Sequence, residues 1–193
     1  MSLTLVTAPA IEPVTVAELK AHLKIEDVVN DEDAEMADWI RSAREYGEQC
    51  THRAFLTQTW DDARSHFPYD DDPIWLPLAP LLSVTSIKYV DPDGVTQTWN
   101  ASLYTVDAPS GPTARRGCVV PNYAQYYPVI REGLRSVTIR FVAGYGATTA
   151  TVPALIKTCL KEHGRSSWLR GDPDAAQKIL TWVDRQLWPF KAF

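Results

Sequence analysis

The chain has 193 residues, of which 45% are hydrophobic and 22% are charged, and its formal net charge is −5. This balance is typical of a globular protein long enough to bury a core, and it argues against a disordered chain. A net negative charge also argues against nucleic acid as the main partner. No run approaches the roughly 20 apolar residues of a membrane-spanning helix, and the first residues lack the features of a signal peptide. We therefore expect a protein that stays in the cytoplasm of the cell that makes it and has no membrane partner.

The charges are distributed unevenly along the chain. Residues 1–50 contain 4 basic and 11 acidic side chains, whereas residues 151–193 contain 7 basic and 4 acidic ones. An acidic first part and a basic last part favour head-to-tail contacts between neighbouring copies of the chain. The same charges also fit ordinary solvated helix faces, so both interpretations stay open.

The first predicted element is a helix over residues 15–25. Thr15 and Glu18 have the spacing of a capping box, in which each side chain bonds to a backbone N–H of the other residue. Val14 and Leu19 occupy the two positions of a hydrophobic staple. These signals together predict where the helix begins.

A longer helix is predicted next, beginning at Asn30 or Asp31, whose side chains can cap a helix. The acidic residues of its first turn complement the helix dipole. They lack the glycine-containing spacing of a calcium loop, so we predict no metal site there. The predicted packing stripe, at steps of three and four residues, consists of Met36, Ile40, Ala43, Gly47 and Cys50.

Between residues 56 and 142 the sequence is rich in β-branched and aromatic residues and is interrupted by prolines and glycines. Asp91-Pro-Asp-Gly94 predicts a tight turn, because proline presets its own φ and glycine supplies the left-handed position. The predicted strands are Leu56 to Asp61, Ile74 to Leu76, Ser83 to Val90, Thr96 to Trp99, Leu103 to Val106, Gly117 to Val120 and Ser136 to Val142.

The helical period returns near the C-terminus, first from Pro153 to about Arg170. The predicted inward residues of this helix are Leu155, Ile156, Cys159, Leu160, His163 and Ser167. Gly171 is predicted to end the helix in a left-handed conformation, while Asp172 caps the next helix and Pro173 opens it.

The last predicted helix runs from Asp174 to about Leu187. The elements together predict an α+β fold, in which a small helical bundle from the N- and C-terminal helices carries an inserted antiparallel β subdomain. The predicted parts are an N-terminal helical part of the core (1–55), a β-rich insert (56–142), and C-terminal helices with an aromatic tail (143–193).

The sequence contains no recognisable pattern of catalytic residues, such as a nucleophile elbow, a phosphate-binding loop or a dinucleotide fingerprint. The four histidines fall in different predicted elements: His22, His52, His66 and His163. The three cysteines are widely spaced and are interpreted as buried apolar side chains: Cys50, Cys118 and Cys159. We therefore predict no enzymatic activity, no cofactor and no metal site.

Aromatic residues supply the candidate contact surfaces. Four tryptophans are interpreted as core residues: Trp39, Trp60, Trp75 and Trp168. A long aromatic loop with Tyr123, Tyr126 and Tyr127 is a candidate contact surface, because such side chains are favoured at protein interfaces. The C-terminal aromatic segment is predicted to be loosely packed until it docks on a partner chain, and its contact residues are Trp182, Trp188, Pro189, Phe190 and Phe193.

Four stretches, taken in order, carry a resemblance to a known family. They are Glu12-Pro-Val-Thr-Val-Ala-Glu-Leu-Lys20, Thr57-Gln-Thr-Trp60, Pro80-Leu-Leu-Ser-Val-Thr-Ser-Ile87, and Gly144-Tyr-Gly146 followed by Val152-Pro-Ala-Leu-Ile-Lys157. The set resembles the head-tail connector (adaptor) proteins of long-tailed phages and of phage-derived gene transfer agents, over nearly the whole chain.

This resemblance implies a structural protein of the head-tail junction of a virion or gene transfer agent particle, assembled in the bacterial cytoplasm. It implies a homo-oligomeric ring, usually of twelve copies, beneath the portal protein, with a tail or stopper protein attached and DNA passing through only as cargo. The C-terminal segment would reach the portal. Arg115 and Arg116 are candidates for basic residues of the lumen, where they would let phosphates slide past rather than bind them tightly.

Two other functions stay open at this point. A β-rich module that binds a ligand or carbohydrate as a monomer would use Trp75, Tyr123 and Tyr126 for stacking. A hydrolase would need a cleft in which catalytic residues converge.

Overall fold

The computed structural model of the protein describes residues 2–25, 32–69, 72–169 and 171–192. Its α-helices are α1 (Val16–Leu23), α2 (Asp33–Thr51), α3 (Ala154–Trp168) and α4 (Pro173–Leu187). Its strands are β1 (Ser2–Thr7), β2 (Gln58–Arg64), β3 (Ile74–Trp75), β4 (Leu81–Val90), β5 (Thr96–Thr98), β6 (Tyr104–Asp107), β7 (Cys118–Pro121) and β8 (Val137–Ala143). The predicted α+β fold with antiparallel sheets is confirmed. Within the described ranges, no helix combines the length and apolar composition that a membrane crossing requires.

The chain divides into two compact units, each built from separated segments. A β unit comprises Met1–Ala8, Thr57–Gly144 and Ala192–Phe193. A helical unit comprises Pro9–Leu56 and Tyr145–Lys191. Each unit therefore collects residues from distant parts of the sequence.

The β unit contains two antiparallel sheets. The larger has the strand order β1-β2-β8-β4-β5, and the smaller has the order β3-β7-β6. β8 lies at the centre of the larger sheet, and its buried residues alternate with more exposed ones, as expected for a sheet covered on one face. The Asp91–Gly94 turn joins β4 to β5, with Gly94 at φ 86° donating its backbone N–H to the Asp91 carbonyl.

The edge strand β1 lies outside the predicted set, which contained no strand before residue 56. β1 pairs with β2 in an antiparallel ladder that places Leu3 opposite Asp62 and Leu5 opposite Trp60. The alternation of leucine and threonine in Leu3-Thr-Leu5 is the period-two signal of a strand. That signal extends over only a few residues, and the partner strand lies more than fifty residues away.

In the helical unit, all four helices contribute to one apolar core. The buried residues of this core include Leu19 from α1, Met36 and Ile40 from α2, Ile156 from α3 and Val183 from α4. The N- and C-terminal helices therefore meet as predicted. Of the inward residues predicted for α3, Leu155 is an exception, since it is 38% exposed.

The predicted helix starts and stops are largely confirmed. Thr15 caps α1, and the reciprocal bonds of the capping box with Glu18 are both present. The Asp172 side chain accepts a bond from the Ala175 backbone N–H at the start of α4. Gly171 is a correction, because it lacks the left-handed conformation predicted for it. The residues predicted to cap α2, Asn30 and Asp31, lie outside the described residues.

Gly47 permits close contact between α2 and the ring of Phe55. A Cβ atom at Gly47 would lie 2.8 Å from Cε2 of Phe55, whose side chain is fully buried. Alanine normally stabilises a helix by about 1 kcal/mol relative to glycine. Overpacking a buried contact costs about 1 to 3 kcal/mol, so the net effect of Gly47→Ala is expected to be destabilising, by about 1 kcal/mol.

Urea unfolding of the Gly47→Ala variant tests whether the substitution lowers the free energy of unfolding. Gly171→Ala is the matched control, because its Cβ would meet no atom within 4 Å. A Gly47→Ala variant that is more stable than the wild type would show that the Phe55 ring moves aside without cost.

Candidate interaction surfaces

The C-terminal segment is folded onto the helical unit rather than loosely packed. After α4, residues Trp188–Phe190 form a 3₁₀ helix. Trp188 is 61% exposed and Trp182 is 40% exposed, whereas Phe190 is only 6% exposed and belongs to the apolar core. As a core residue, Phe190 is not exposed to a partner chain in this structure. Pro189 is exposed, and Phe193 lies outside the described residues.

The buried side chain of Arg53 explains why the segment is held. Arg53 is 1% exposed, and its Nε donates a hydrogen bond to the backbone carbonyl of Phe190. Tyr145 interacts with the same guanidinium. Burial lowers the pKa of Arg53 and raises that of Tyr145, and each partner opposes the shift of the other. A contact between residues 137 positions apart fixes this tail, and no local sequence pattern signals it.

One face of α4 forms a shallow groove of about 500 Å³. The groove is lined by Asp174, Gln177, Lys178, Thr181, Trp182 and Arg185. Beyond the helix end, Nζ of Lys191 lies 4.5 Å from the centre of the Trp188 ring. This face thus combines exposed tryptophan with cationic side chains.

The loop over residues 122–135 presents large apolar side chains to solvent. Tyr123 is 99% exposed and Tyr126 is 74% exposed, and Val129 and Leu134 in the same loop are also exposed. Asn122 holds the start of the loop, since its side-chain amide donates to the Ser102 carbonyl. An exposed cluster of this kind on an anchored loop is typical of an interaction site.

Tyr127 differs from the other two tyrosines of the predicted contact surface, because it is half-buried and packs within the β unit. Its ring stacks on Phe67 with centroids 5.1 Å apart and also contacts Trp99. Its hydroxyl donates to the backbone carbonyl of Asp72. Tyr127 therefore anchors the loop, whereas Tyr123 and Tyr126 remain free for a partner.

The two candidate lumen arginines differ in environment. Arg115 forms an ion pair with Asp107 at 2.5 Å, and its guanidinium lies 5.4 Å from the centre of the Trp75 ring. Arg116 is half-buried. Arg115 therefore has a carboxylate partner, and its guanidinium occupies one face of the Trp75 ring.

The tryptophans predicted as core are only partly buried. Trp75 and Trp168 are 40% and 39% exposed, so the core interpretation is wrong for both. Trp168 contacts Trp39 edge to face, with ring centroids 6.2 Å apart. Trp99 is the buried tryptophan, packed among the aromatic residues of the β unit. Hydrophobicity alone does not distinguish these positions.

The titratable groups of the helical unit connect helices to one another. The Tyr46 hydroxyl donates to Oδ1 of Asp184 at 2.5 Å, which raises the pKa of Tyr46. His22 lies 3.0 Å from Glu162, and burial lowers the pKa of His163. Within the described ranges, histidine, cysteine and carboxylate side chains do not form a metal-binding group.

Two of the three cysteines are buried, as expected if they act as apolar core side chains. Cys118 and Cys159 are buried, and burial raises the pKa of the Cys159 thiol to about 11. Cys50 is half-buried.

Solved structures with the same fold come from gene transfer agent (GTA) particles. A chain in the virion of the native GTA particle superposes with a TM-score of 0.75 and 24% sequence identity. Chains in the neck of the empty particle, computed with C6 symmetry, and in the neck of the native particle, computed with C12 symmetry, give TM-scores of 0.76 and 0.74 at the same identity. Each comparison covers 100% of this chain and 96% of the other. No protein-family model and no curated protein matches the sequence.

Proposed function

We propose that the protein is a structural component of the neck of a phage or gene transfer agent particle, where copies form a ring between the portal and the tail. The observation that carries the proposal is the shared fold, which extends over the full length of this chain and 96% of the chains from GTA particles. The C6 and C12 symmetries of the two neck structures support a ring of copies.

The exposed surfaces supply the contacts that such a role needs. Trp188 and Pro189 are the proposed contact with the portal, because both are exposed on a segment that Phe190 anchors in the core. Tyr123 and Tyr126 are the proposed contact with the tail or stopper protein. Anchored aromatic side chains suit both roles, since they lose little conformational entropy when a partner covers them.

DNA is proposed to pass through the ring only as cargo. The ion pair between Arg115 and Asp107 reduces the charge that this arginine offers to a phosphate. We therefore expect weak, salt-sensitive binding of DNA by the isolated protein.

The test is an in-frame deletion of the gene in the strain that produces the particles, complemented by an epitope-tagged chain. The deletion is expected to give DNA-filled heads without tails, and antibody labelling of the complemented particles is expected at the neck. Co-purification with the portal protein of the same particle checks the proposed contact. Deletion particles with normal tails, or label outside the neck, would contradict the proposal.

A further inference from the structure

The exposed face of α4 carries a row of positive charge. Lys178 and Arg185 are both exposed on this face, and Trp182 lies between them along the helix. The two cations are seven residues apart, which is nearly two helical turns, so they point in almost the same direction roughly 10.5 Å apart. Asp174 is the acidic residue of the same groove, one turn before Lys178.

The exposed face of α2 carries a matching row of negative charge. The Asp38 and Glu45 side chains are 72% and 64% exposed, and these residues are also seven positions apart. Glu35 lies on the same face, one turn earlier. Arg41, at 3.6 Å from Asp38, and Ser42 lie between the two carboxylates.

The two rows fit each other in spacing as well as in sign. When the helices lie side by side, Lys178 and Arg185 can pair with Asp38 and Glu45 in either relative direction, because both intervals are equal. When the two helices run parallel, Arg41 lies near Trp182 at the midpoint of the rows. A guanidinium over a tryptophan ring is a favourable cation–π arrangement.

We propose that the α4 face of one copy binds the α2 face of the next copy, an inference that rests on the ring proposed above. The two faces lie on different helices of the same unit, so the contact joins unlike surfaces and repeats from copy to copy. Contacts of this kind form a closed ring when the rotation between neighbouring copies divides a full turn evenly, as in the ring proposed above. A two-fold dimer through α4 would set Lys178 and Arg185 against the same cations, which like-charge repulsion disfavours.

Each pair in this contact is weak when taken singly. Exposed ion pairs are screened by salt and compete with water for the charged groups. The contact is therefore expected to hold when a ring closes on a shared platform, where many copies act together, and to be poorly populated between free copies.

Charge reversal on one face at a time tests the contact in assembled particles. The first variant, Lys178→Glu with Arg185→Glu, reverses the α4 row, and the second, Asp38→Lys with Glu45→Lys, reverses the α2 row. Each variant is produced in the deletion strain, alone or together with the other. Copies of the chain per purified particle are then counted by quantitative mass spectrometry.

Either variant alone is expected to reduce incorporation by about tenfold or more, because each contact then opposes like charges. Produced together, the variants restore attraction at every contact of a ring in which they alternate, which closes for an even number of copies. We expect incorporation within about threefold of the wild type, with equal amounts of the two variants. Restoration also shows that both variants fold.

A matched control distinguishes loss of the α4 row of cations from a general effect of a more negative net charge. Lys24→Glu with Arg165→Glu reverses two other exposed cations of the helical unit and changes the net charge by the same amount as the α4 variant. It is expected to incorporate normally. Normal incorporation of either single-face variant, or no restoration by the pair, would overturn this inference while the neck role stands. Absence of the wild-type chain from purified particles would instead contradict the proposed function.

Discussion

Replacing Phe190 by alanine is expected to lower the free energy of unfolding by roughly 3 to 5 kcal/mol, as for other large aromatic residues removed from a core. Phe190 is 6% exposed and packs in the apolar core of the helical unit. The buried Arg53 also bonds to its backbone carbonyl. The substitution therefore leaves a cavity next to the buried Arg53 guanidinium and weakens the packing that holds the segment after α4 on the core. Urea unfolding followed by circular dichroism measures the loss.

Trp188→Ala is the matched control for this prediction. Trp188 is 61% exposed, and the ammonium group of Lys191 lies 4.5 Å from the centre of its ring. Its loss is expected to change stability by less than about 1 kcal/mol. The same variant is expected to reduce co-purification with the portal. Equal stability of the two variants would show that the segment is held by its backbone alone, and a stable Trp188→Ala variant with full portal binding would move that contact elsewhere.

Replacing Tyr123 and Tyr126 together by serine is expected to reduce the fraction of tailed particles by about tenfold or more, with no measurable loss of stability. These two side chains project from an anchored loop, and aromatic side chains of this kind supply much of the binding energy of protein interfaces. Electron microscopy of purified particles gives the tailed fraction. A melting transition equal to that of the wild type confirms that the loop anchor is intact.

Tyr127→Ala provides the contrast within the same loop. Tyr127 stacks on Phe67 and bonds to the carbonyl of Asp72, so its loss is expected to cost roughly 1 to 3 kcal/mol of stability. Tail attachment by the serine variant at wild-type levels would exclude the loop as the tail contact. A neutral Tyr127→Ala variant would show that the loop is held mainly by its other anchors.

Short-range signals in the sequence were sufficient to predict much of the fold. The capping box of Thr15 and Glu18, the proline-glycine turn after β4 and the apolar periods of the helices all act within about one or two turns of chain. Such signals reflect local hydrogen bonding and backbone geometry. They identified the helices and most strands, including the central strand β8.

Features fixed by distant residues were not predictable in the same way. Phe190 and Tyr127 look like free aromatic residues in sequence, because the groups that hold them lie 137 and 55 positions away. Trp75 and Trp168 look like core residues, although both are about two-fifths exposed. The sequence therefore proposed the segments that carry these aromatic residues, while the structure was needed to show which of their side chains are exposed.

The β unit is assembled from segments that lie far apart in the sequence, and this constrains when the protein can fold during synthesis. Thr7 pairs with Thr59 and Ser2 with Ala63, so β1 must wait for at least fifty further residues before it finds its partner. The helical unit likewise closes only after α3 and α4 have left the ribosome, since its core draws on residues near both ends of the chain. Long-range contacts of this kind slow folding, and they leave the edges of strands exposed until their partner strands have been made. Ribosome-bound fragments shorter than about 140 residues should therefore remain incompletely folded, because they lack β8, the strand that pairs with both β2 and β4.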